Sequence, residues 1–340
     1  MKNMFLILFC SLAMQFINVN DNINKSWQTI SITPIQATSY IVMEQSTNKI
    51  IEENNVHQTR SVASISKIMT AIVAIENVNL EDVVTIPKEI NTVYGSMLYL
   101  KENDKIPIMD LLYGLMLRSG NDAAVSIAIH ISKTVERFVD LMNQKAKILN
   151  MNNTIFKNPH GLDENDGGNI STAYDMALLH SYALNNPIYR QISSSKSYKN
   201  YKNKNRILTL CDYATGGKTG FTTKARRTLV TSAKQNDLEL VIVTLNCGND
   251  FYTHKNLYEY YFQEYVGVLA LKSGKNYIDN YCLTVEKNYV FMVNKKHDNL
   301  YLKYDFSYKS KDVKIYLQDK YGYILQTLCV CLYCVPKNNF

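Results

Sequence analysis

The stretch SISKIMTAIVAIE, residues 64–76, decides how the middle of this chain folds. Its apolar residues are nearly continuous, which predicts a helix buried on almost every side. Ser64 stands where the helix begins, so the side chains of Ser64 and Lys67 lie one turn apart on the same face. The helix N-terminus brings backbone N–H groups and the positive end of the helix dipole close to the Ser64 hydroxyl.

Lys67 is the one charged residue before the last position of this apolar helix. A buried ammonium is costly unless it is paired, and desolvation lowers the pKa of a lysine amine. A neutral amine beside a serine hydroxyl is a usable general base. The alternative is a chance pair in which Ser64 caps the helix and Lys67 lies in solvent.

A second motif, Ser119-Gly-Asn121 in LMLRSGNDAA, falls between two predicted helices at residues 108–118 and 121–132. Short polar side chains at such a break project into a cleft. Asn121 has two possible roles: it could bind the peptide carbonyl of a substrate, or it could orient Lys67. Ser119 is suited to relaying a proton to a leaving amine.

A third motif, Lys218-Thr219-Gly220 in GGKTGFTT, is predicted to lie just before a strand at residues 226–233. A glycine there allows a substrate backbone to lie against the strand edge. Lys218 and Thr219 then offer a cation and a hydroxyl to a terminal carboxylate. Taken alone, this motif is more typical of a glycine-rich turn.

Outward from these motifs, strands are predicted near both ends of the central region and helices between them. This pattern predicts an α/β (α+β) fold in which an antiparallel sheet packs with a helical subdomain. From about residue 267, short β-type runs separated by turn residues predict a small all-β domain. The predicted divisions are a signal peptide or anchor at 1–22, a main domain at 30–266 and a β-rich domain at 270–340.

Composition and the N-terminus indicate the compartment. The 340 residues are 46% hydrophobic and 20% charged, as in a folded globular protein. The net charge of +7 is spread along the chain without a basic run, which argues against a nucleic-acid partner. Lys2, an apolar stretch over residues 4–17 and a polar exit predict a signal peptide, and therefore export to the cell envelope.

Six cysteines follow the predicted signal segment. Export permits disulfides, but Cys211 and Cys247 are far apart in sequence. Cys329, Cys331 and Cys334 lie in an apolar tail without a second pair of metal ligands, so we expect buried small residues in a strand. The apolar run of this tail is too short to span a membrane.

The three motifs in this order resemble those of the penicillin-recognising serine enzymes. The flanking segments, NPHGL at residues 158–162 and STAYDMA at 171–177, resemble more closely the low-molecular-mass D-alanyl-D-alanine carboxypeptidases. The resemblance implies a serine β-lactamase/DD-peptidase-like fold and removal of the terminal D-alanine from peptidoglycan stem peptides through an acyl-enzyme. It also implies covalent inhibition by β-lactams, no metal or organic cofactor, and a function in the cell wall.

The resemblance also implies residue roles. Ser64 attacks the carbonyl between the two D-alanines and Lys67 takes its proton. Ser119 and Asn121 assist, while Lys218, Thr219, Gly220 and Phe221 bind the substrate. The backbone N–H groups of Ser64 and Phe221 form the oxyanion hole. Peripheral membrane association is left open.

The sequence departs from the family pattern at several positions. Val62 replaces a usual Pro, Ser66 replaces a frequent Thr, and Arg226 replaces a usual Gly. We expect Arg226 to crowd the cleft or to add a carboxylate contact. One alternative is a class A-like β-lactamase, although Glu164 lacks the expected Glu-x-x-Leu-Asn setting. Another is a weakened cell-wall or sporulation protein of the same fold.

Overall fold

A computed structural model describes residues 13–17, 34–163, 167–278, 281–297, 299–306 and 312–331. The chain divides into two compact units. The larger comprises residues 31–234 and 239–260, and the smaller comprises residues 1–30, 235–238 and 261–340.

The helices are α1 (Lys67–Asn77), α2 (Ile108–Tyr113), α3 (Asn121–Ser132), α4 (Val135–Ile148), α5 (Ala173–Ala183), α6 (Pro187–Ser194), α7 (Ile207–Leu210) and α8 (Asp250–Glu264). Short 3₁₀ turns cover Ala63–Ser66 and Lys88–Thr92, and a π-helical turn covers Gly114–Arg118.

The strands up to residue 222 are β1 (Ala13–Ile17), β2 (Ala37–Glu44), β3 (Ile50–Asn54), β4 (Arg60–Ser61), β5 (Val83–Thr85), β6 (Lys105–Pro107), β7 (Ile170–Ser171), β8 (Ser197–Tyr198), β9 (Tyr201–Lys202) and β10 (Ala214–Thr222). The later strands are β11 (Arg226–Gln235), β12 (Leu238–Cys247), β13 (Tyr265–Leu271), β14 (Gly274–Ile278), β15 (Tyr281–Val285), β16 (Tyr289–Asn294), β17 (Leu300–Phe306), β18 (Asp312–Gln318) and β19 (Ile324–Cys331).

The main sheet of the larger unit has the strand order β10-β11-β12-β2-β3. The register pairs Thr219 with Leu229 and Val243 with Ile41, and both pairings are antiparallel. The sheet is therefore built from the two ends of this unit, with the helices between them in sequence, as predicted. Because β10 is an edge strand, one of its sides is available to the helical part.

Helix α1 is the centre of the larger core. All residues from Lys67 to Ala74 are buried, and they pack against α3, α4, α5 and α6. Ile68 and Ile72 share one apolar cluster with Ile41 and Val243 of the sheet. A helix surrounded on all sides needs apolar residues on every face, which explains why the hydrophobic run lacks a polar stripe.

The third motif precedes β11, as predicted, but it also lies in a strand that the sequence did not predict. Lys218, Thr219 and Gly220 are inside β10. The glycines and polar residues of ATGGKTGFT have low β propensity, and it is the pairing with β11 that makes this segment a strand.

The segment between α5 and β10 was predicted without elements, and it contains α6, α7 and the β8–β9 hairpin. A local signal for α6 exists. Asn186 caps the helix by accepting hydrogen bonds from the N–H groups of Ile188 at 2.9 Å and Tyr189 at 3.2 Å, and Pro187 follows at the first helical position.

The smaller unit is rich in strands, as the sequence pattern predicts. One antiparallel sheet has the order β1-β17-β18-β19, and buried Leu302, Tyr304 and Ile315 contribute to its apolar cluster. Strand β1 lies within the predicted signal segment and pairs with β17, while the rest of residues 1–22 lies outside the described residues. Within the described ranges, no helix is long and apolar enough to cross a membrane.

The cysteines only partly match their prediction. Cys211 and Cys247 are buried free thiols. Cys329 lies on a strand but is exposed, so its predicted burial is wrong. Its neighbours Leu328 and Val330 pack in the apolar cluster, and the side chain between them points to the opposite face of β19. The side chain of Cys331 and the whole of Cys334 lie outside the described residues.

Candidate active site

Ser64 lies in the 3₁₀ turn that leads into α1, immediately after Ala63, whose φ is +50°. A left-handed alanine is an unfavourable conformation that persists only where the surroundings impose it. Here Gly161 packs against it, since a Cβ on Gly161 would lie 2.2 Å from the Ala63 carbonyl oxygen. The turn directs Ser64 into the cleft, where its Oγ is 3.0 Å from Lys67 Nζ.

Lys67 is fully buried, and its Nζ also contacts Asn121 Oδ1 at 2.7 Å and the backbone oxygen of His160. Burial holds the pKa of Lys67 well below its usual value, and the positive charges of Lys218 and Lys204 lower it further. A neutral amine has two N–H donors and one lone pair. The two N–H donors of Lys67 can bind Asn121 Oδ1 and the His160 backbone oxygen, which leaves the Lys67 lone pair for the Ser64 hydroxyl proton.

Asn121 is the first residue of α3, and both the oxygen and the nitrogen of its side-chain amide form hydrogen bonds. Oδ1 accepts from Lys67, and Nδ2 donates to the Tyr94 backbone oxygen at 2.6 Å. Of the two roles left open by the sequence, this geometry favours orienting Lys67. Ser119 has a left-handed φ of +64° and ends the π-helical turn, so the helical backbone is interrupted before α3 begins.

Sequence reasoning did not identify Asp122 as a site residue. Its buried carboxylate accepts hydrogen bonds from the backbone N–H groups of Leu98, Leu100 and Ala123 at 2.9 to 3.2 Å. These bonds hold the loop that follows Ser96, whose backbone oxygen accepts a hydrogen bond from the Asn121 N–H at 2.7 Å. The Asp122 charge is also the one that raises the pKa of Lys67. The sequence signal that could have identified Asp122 is its position directly after Asn121 of the second motif.

Lys218 is almost completely buried, although its predicted role is to offer a cation to the terminal carboxylate of a substrate. It is 1% exposed, and its Nζ donates to Ser119 Oγ at 3.1 Å and to the Thr219 carbonyl oxygen at 2.7 Å. Burial, followed by repulsion from Lys204, lowers the pKa of Lys218 to about 7. The second and third motifs are therefore joined directly through Ser119 and Lys218.

Gly220 is required by the close approach of β10 to the start of the helix. An added Cβ would lie 2.4 Å from Thr228 Oγ1 and 3.0 Å from the Ser64 backbone nitrogen. Thr228 Oγ1 in turn donates to the Val62 carbonyl oxygen at 3.0 Å. These contacts place the strand edge beside Ser64, while the Phe221 side chain is exposed at the cleft.

The cleft has a volume of about 550 Å³. Its lining includes three predicted site residues of β10 together with both motif serines: Ser64, Ser119, Thr219, Gly220 and Phe221. The sequence analysis missed the remaining lining residues: Ser96, Lys204, Arg206, Arg227, Gly248, Asn249, Asp250, Phe251 and Tyr252.

The expectation for Arg226 was wrong. Its side chain is exposed and does not line the cleft, whereas the neighbouring Arg227 does. Arg226 has φ +59° and pairs with Thr222 where β10 turns into β11. Glycine adopts such a φ freely, so the glycine usual at this position fits the turn and is not needed to keep the cleft open.

The long loop at residues 152–169 acts through its backbone. The His160 carbonyl accepts from Lys67, and its ring Nδ1 accepts from the Leu162 N–H at 3.2 Å. Burial lowers the pKa of His160 to about 3, with a smaller contribution from Lys67, so the ring stays neutral. Glu164, the residue relevant to the β-lactamase alternative, lies outside the described residues.

Comparison with known proteins agrees with this geometry. Residues 26–249 match the family profile described as D-alanyl-D-alanine carboxypeptidase. The protein belongs to this family. The predicted family and serine carboxypeptidase class are thereby confirmed.

Curated members of the D-alanyl-D-alanine carboxypeptidase family are similar over much of the chain. Escherichia coli DacC is 32% identical over 271 residues, which cover 74% of this chain and 67% of DacC. Haemophilus influenzae DacA is 30% identical, with 85% of this chain and 77% of DacA covered. The match to Bacillus subtilis DacF spans only 58% of that protein's length.

Solved structures of the family have the same fold. Penicillin-binding protein 5 from Haemophilus influenzae superposes with a TM-score of 0.75 at 25% identity, covering 89% of this chain and 98% of its own. Penicillin-binding protein 6B from Escherichia coli gives a TM-score of 0.71 at 26% identity, covering 91% and 99%. The predicted fold class is confirmed.

Proposed function

We propose that this protein removes the terminal D-alanine from peptidoglycan stem pentapeptides through an acyl-enzyme at Ser64. One observation carries the proposal: a fully buried lysine amine with a lowered pKa lies 3.0 Å from a serine hydroxyl that opens into the cleft. That pair supplies a nucleophile and its base without a histidine or a metal.

Acylation begins when Lys67 takes the Ser64 hydroxyl proton as Oγ bonds to the carbonyl carbon of the penultimate D-alanine. The resulting oxyanion accepts hydrogen bonds from the backbone N–H groups of Ser64 and Phe221. The C–N bond then breaks, and the leaving amine receives through Ser119 the proton that Lys67 had taken. Water hydrolyses the ester, which releases the shortened peptide and restores the Ser64 hydroxyl.

Recognition of the terminal carboxylate falls to the third motif. Thr219 lines the cleft and offers its hydroxyl, and the adjacent buried Lys218 contributes positive charge. Gly220 leaves the edge of β10 free to pair with the substrate backbone. β-Lactams carry a carboxylate and a reactive carbonyl in a related arrangement, so they acylate the same serine and block it.

The place of action is the cell envelope. Residues 1–22 act as an export signal or as an N-terminal anchor, and the exported protein is either secreted or associated with the membrane. Support comes from Lys2, the apolar stretch at residues 4–17 and the polar exit that follows.

The test is a mass spectrum of the purified protein after exposure to penicillin, followed by assay of D-alanine release from diacetyl-L-Lys-D-Ala-D-Ala. We expect one covalent adduct on Ser64, no adduct on the Ser64→Ala variant, and release of D-alanine. Absence of an adduct on the folded wild-type protein would refute the acyl-enzyme. An adduct without D-alanine release would refute carboxypeptidase activity, and rapid penicillin turnover would favour a β-lactamase.

A further inference from the structure

The lining of the cleft brings an aromatic ring close to two guanidinium groups. The Phe251 ring centroid lies 5.8 Å from Arg206 Cζ and 5.2 Å from Arg227 Cζ. Both arginines and Phe251 line the cleft. A cation near an aromatic face is attracted to the ring, and such a contact does not use the N–H donors of a guanidinium.

The two arginines differ in how their charge is balanced. Arg227 makes a two-point ion pair with the buried Asp250, with Nε–Oδ2 at 3.1 Å and Nη2–Oδ1 at 2.7 Å. Among the described residues, Arg206 makes no ion pair, and its guanidinium contacts the Phe251 ring. Arg206 is exposed and lines the cleft, so its positive charge is accessible to a ligand.

The cleft as a whole has more cations than anions. Lys204 also lines it, donates to the Ser96 hydroxyl at 3.0 Å, and has a pKa lowered by burial and by Arg118. Its lining thus holds three basic side chains and one acidic side chain, Asp250. The single carboxylate of a terminal D-alanine, bound at Thr219, leaves the positive charge of Arg206 without a partner.

We propose that Arg206 and Phe251 form a subsite on the leaving-group side that binds a second carboxylate of the substrate. The proposal rests on the proposed function and specifies its substrate class. The preferred leaving group is a D-amino acid, or an amine within a peptide, that carries one carboxylate beside the amine and another farther away. The reaction is unchanged: the same C–N bond breaks, Ser64 forms the same ester, and the released amine is a dicarboxylate.

The experiment compares three synthetic peptides, diacetyl-L-Lys-D-Ala with D-Ala, D-Gln or D-Glu as the terminal residue. D-Gln and D-Glu have the same shape and differ in one charge. We expect kcat/KM for the D-Glu peptide to exceed that for the D-Gln peptide by about tenfold at low salt, because a guanidinium–carboxylate bond is charge-assisted. The preference should shrink as ionic strength rises.

Variants assign the preference to a residue. Arg206→Gln should abolish the D-Glu preference and leave the D-Ala and D-Gln peptides within about twofold of wild type. The control is Arg137→Gln, on the exposed face of α4, which should keep the preference. The rate of penicillin acylation at Ser64 shows whether each variant is folded.

The outcomes separate this proposal from the function on which it rests. Equal kcat/KM for the D-Glu and D-Gln peptides, with D-alanine still released, overturns the subsite and leaves the carboxypeptidase intact. An equal loss of all three peptides in Arg206→Gln, with normal penicillin acylation, also overturns it, because Arg206 would then bind the common carboxylate. Absence of both peptide cleavage and penicillin adduct in the wild-type protein refutes the proposed function.

Discussion

Replacing Asp122 by Asn removes one negative charge from the interior of the site while keeping the shape of the side chain. Three backbone N–H groups, from Leu98, Leu100 and Ala123, point at the carboxylate. An amide oxygen can keep some of these bonds, but the amide nitrogen then faces at least one N–H donor. A buried donor left without an acceptor costs about 1–3 kcal/mol, and the remaining bonds lose their charge assistance. We expect the free energy of unfolding to fall by about 2–4 kcal/mol.

The same substitution should also change the pH dependence of catalysis. The Asp122 charge raises the pKa of Lys67, while burial, Lys218 and Lys204 lower it. His160 also faces Lys67, but its ring remains neutral above about pH 3. Without Asp122, the pKa of Lys67 falls further, so the amine stays neutral to lower pH. The acidic limb of kcat/KM should therefore move to lower pH.

Two measurements check this expectation: urea unfolding, and D-alanine release over a range of pH. Asp104→Asn, at an exposed position in the same part of the chain, is the control and should change neither quantity. A loss of stability with an unchanged acidic limb would show that Asp122 only holds the loop. A shift of the limb to higher pH would refute the electrostatic reasoning itself.

Three further predictions concern other parts of the site and core. Gly220→Ala should slow penicillin acylation by about tenfold or more, because its Cβ would lie 2.4 Å from Thr228 Oγ1 and force β10 away from Ser64; an unchanged rate in stopped-flow measurements would contradict this. KM for the D-Ala-D-Ala peptide should rise above about pH 7, where Lys218 loses its proton, and Lys218→Arg should remove that rise. His254, with its pKa lowered by burial to about 3, takes a proton only on unfolding between that value and about 6.5. His254 alone should therefore lower the free energy of unfolding by about 1.4 kcal/mol per pH unit on acidification through this range, and unfolding curves of His254→Gln should show a shallower pH dependence.

The sequence by itself determined the elements whose signals are local. The unbroken apolar run of α1 and the polar break at Ser119 were readable because each depends on residues within a few positions. The predicted start of the helix at Ser64 was three residues early, because Ser64 lies in the 3₁₀ turn that leads into α1. The three motifs in order, with their flanking segments, were enough to identify the family. Residue spacing on a helix also placed Ser64 and Lys67 on one face, and the structure has them at 3.0 Å.

Only the tertiary structure decided the chemical state of these groups. The acceptors of the Lys67 amine come from 54 and 93 residues away, at Asn121 and His160. Segment 214–222 is a strand because of its pairing with β11, against its own propensity. Arg227 lines the cleft, whereas the exposed Arg226 takes the left-handed conformation at the start of β11. Desolvation and Coulomb interactions act through space, so the pKa of a buried lysine follows from which distant residues fold around it and cannot be read from its neighbours in sequence.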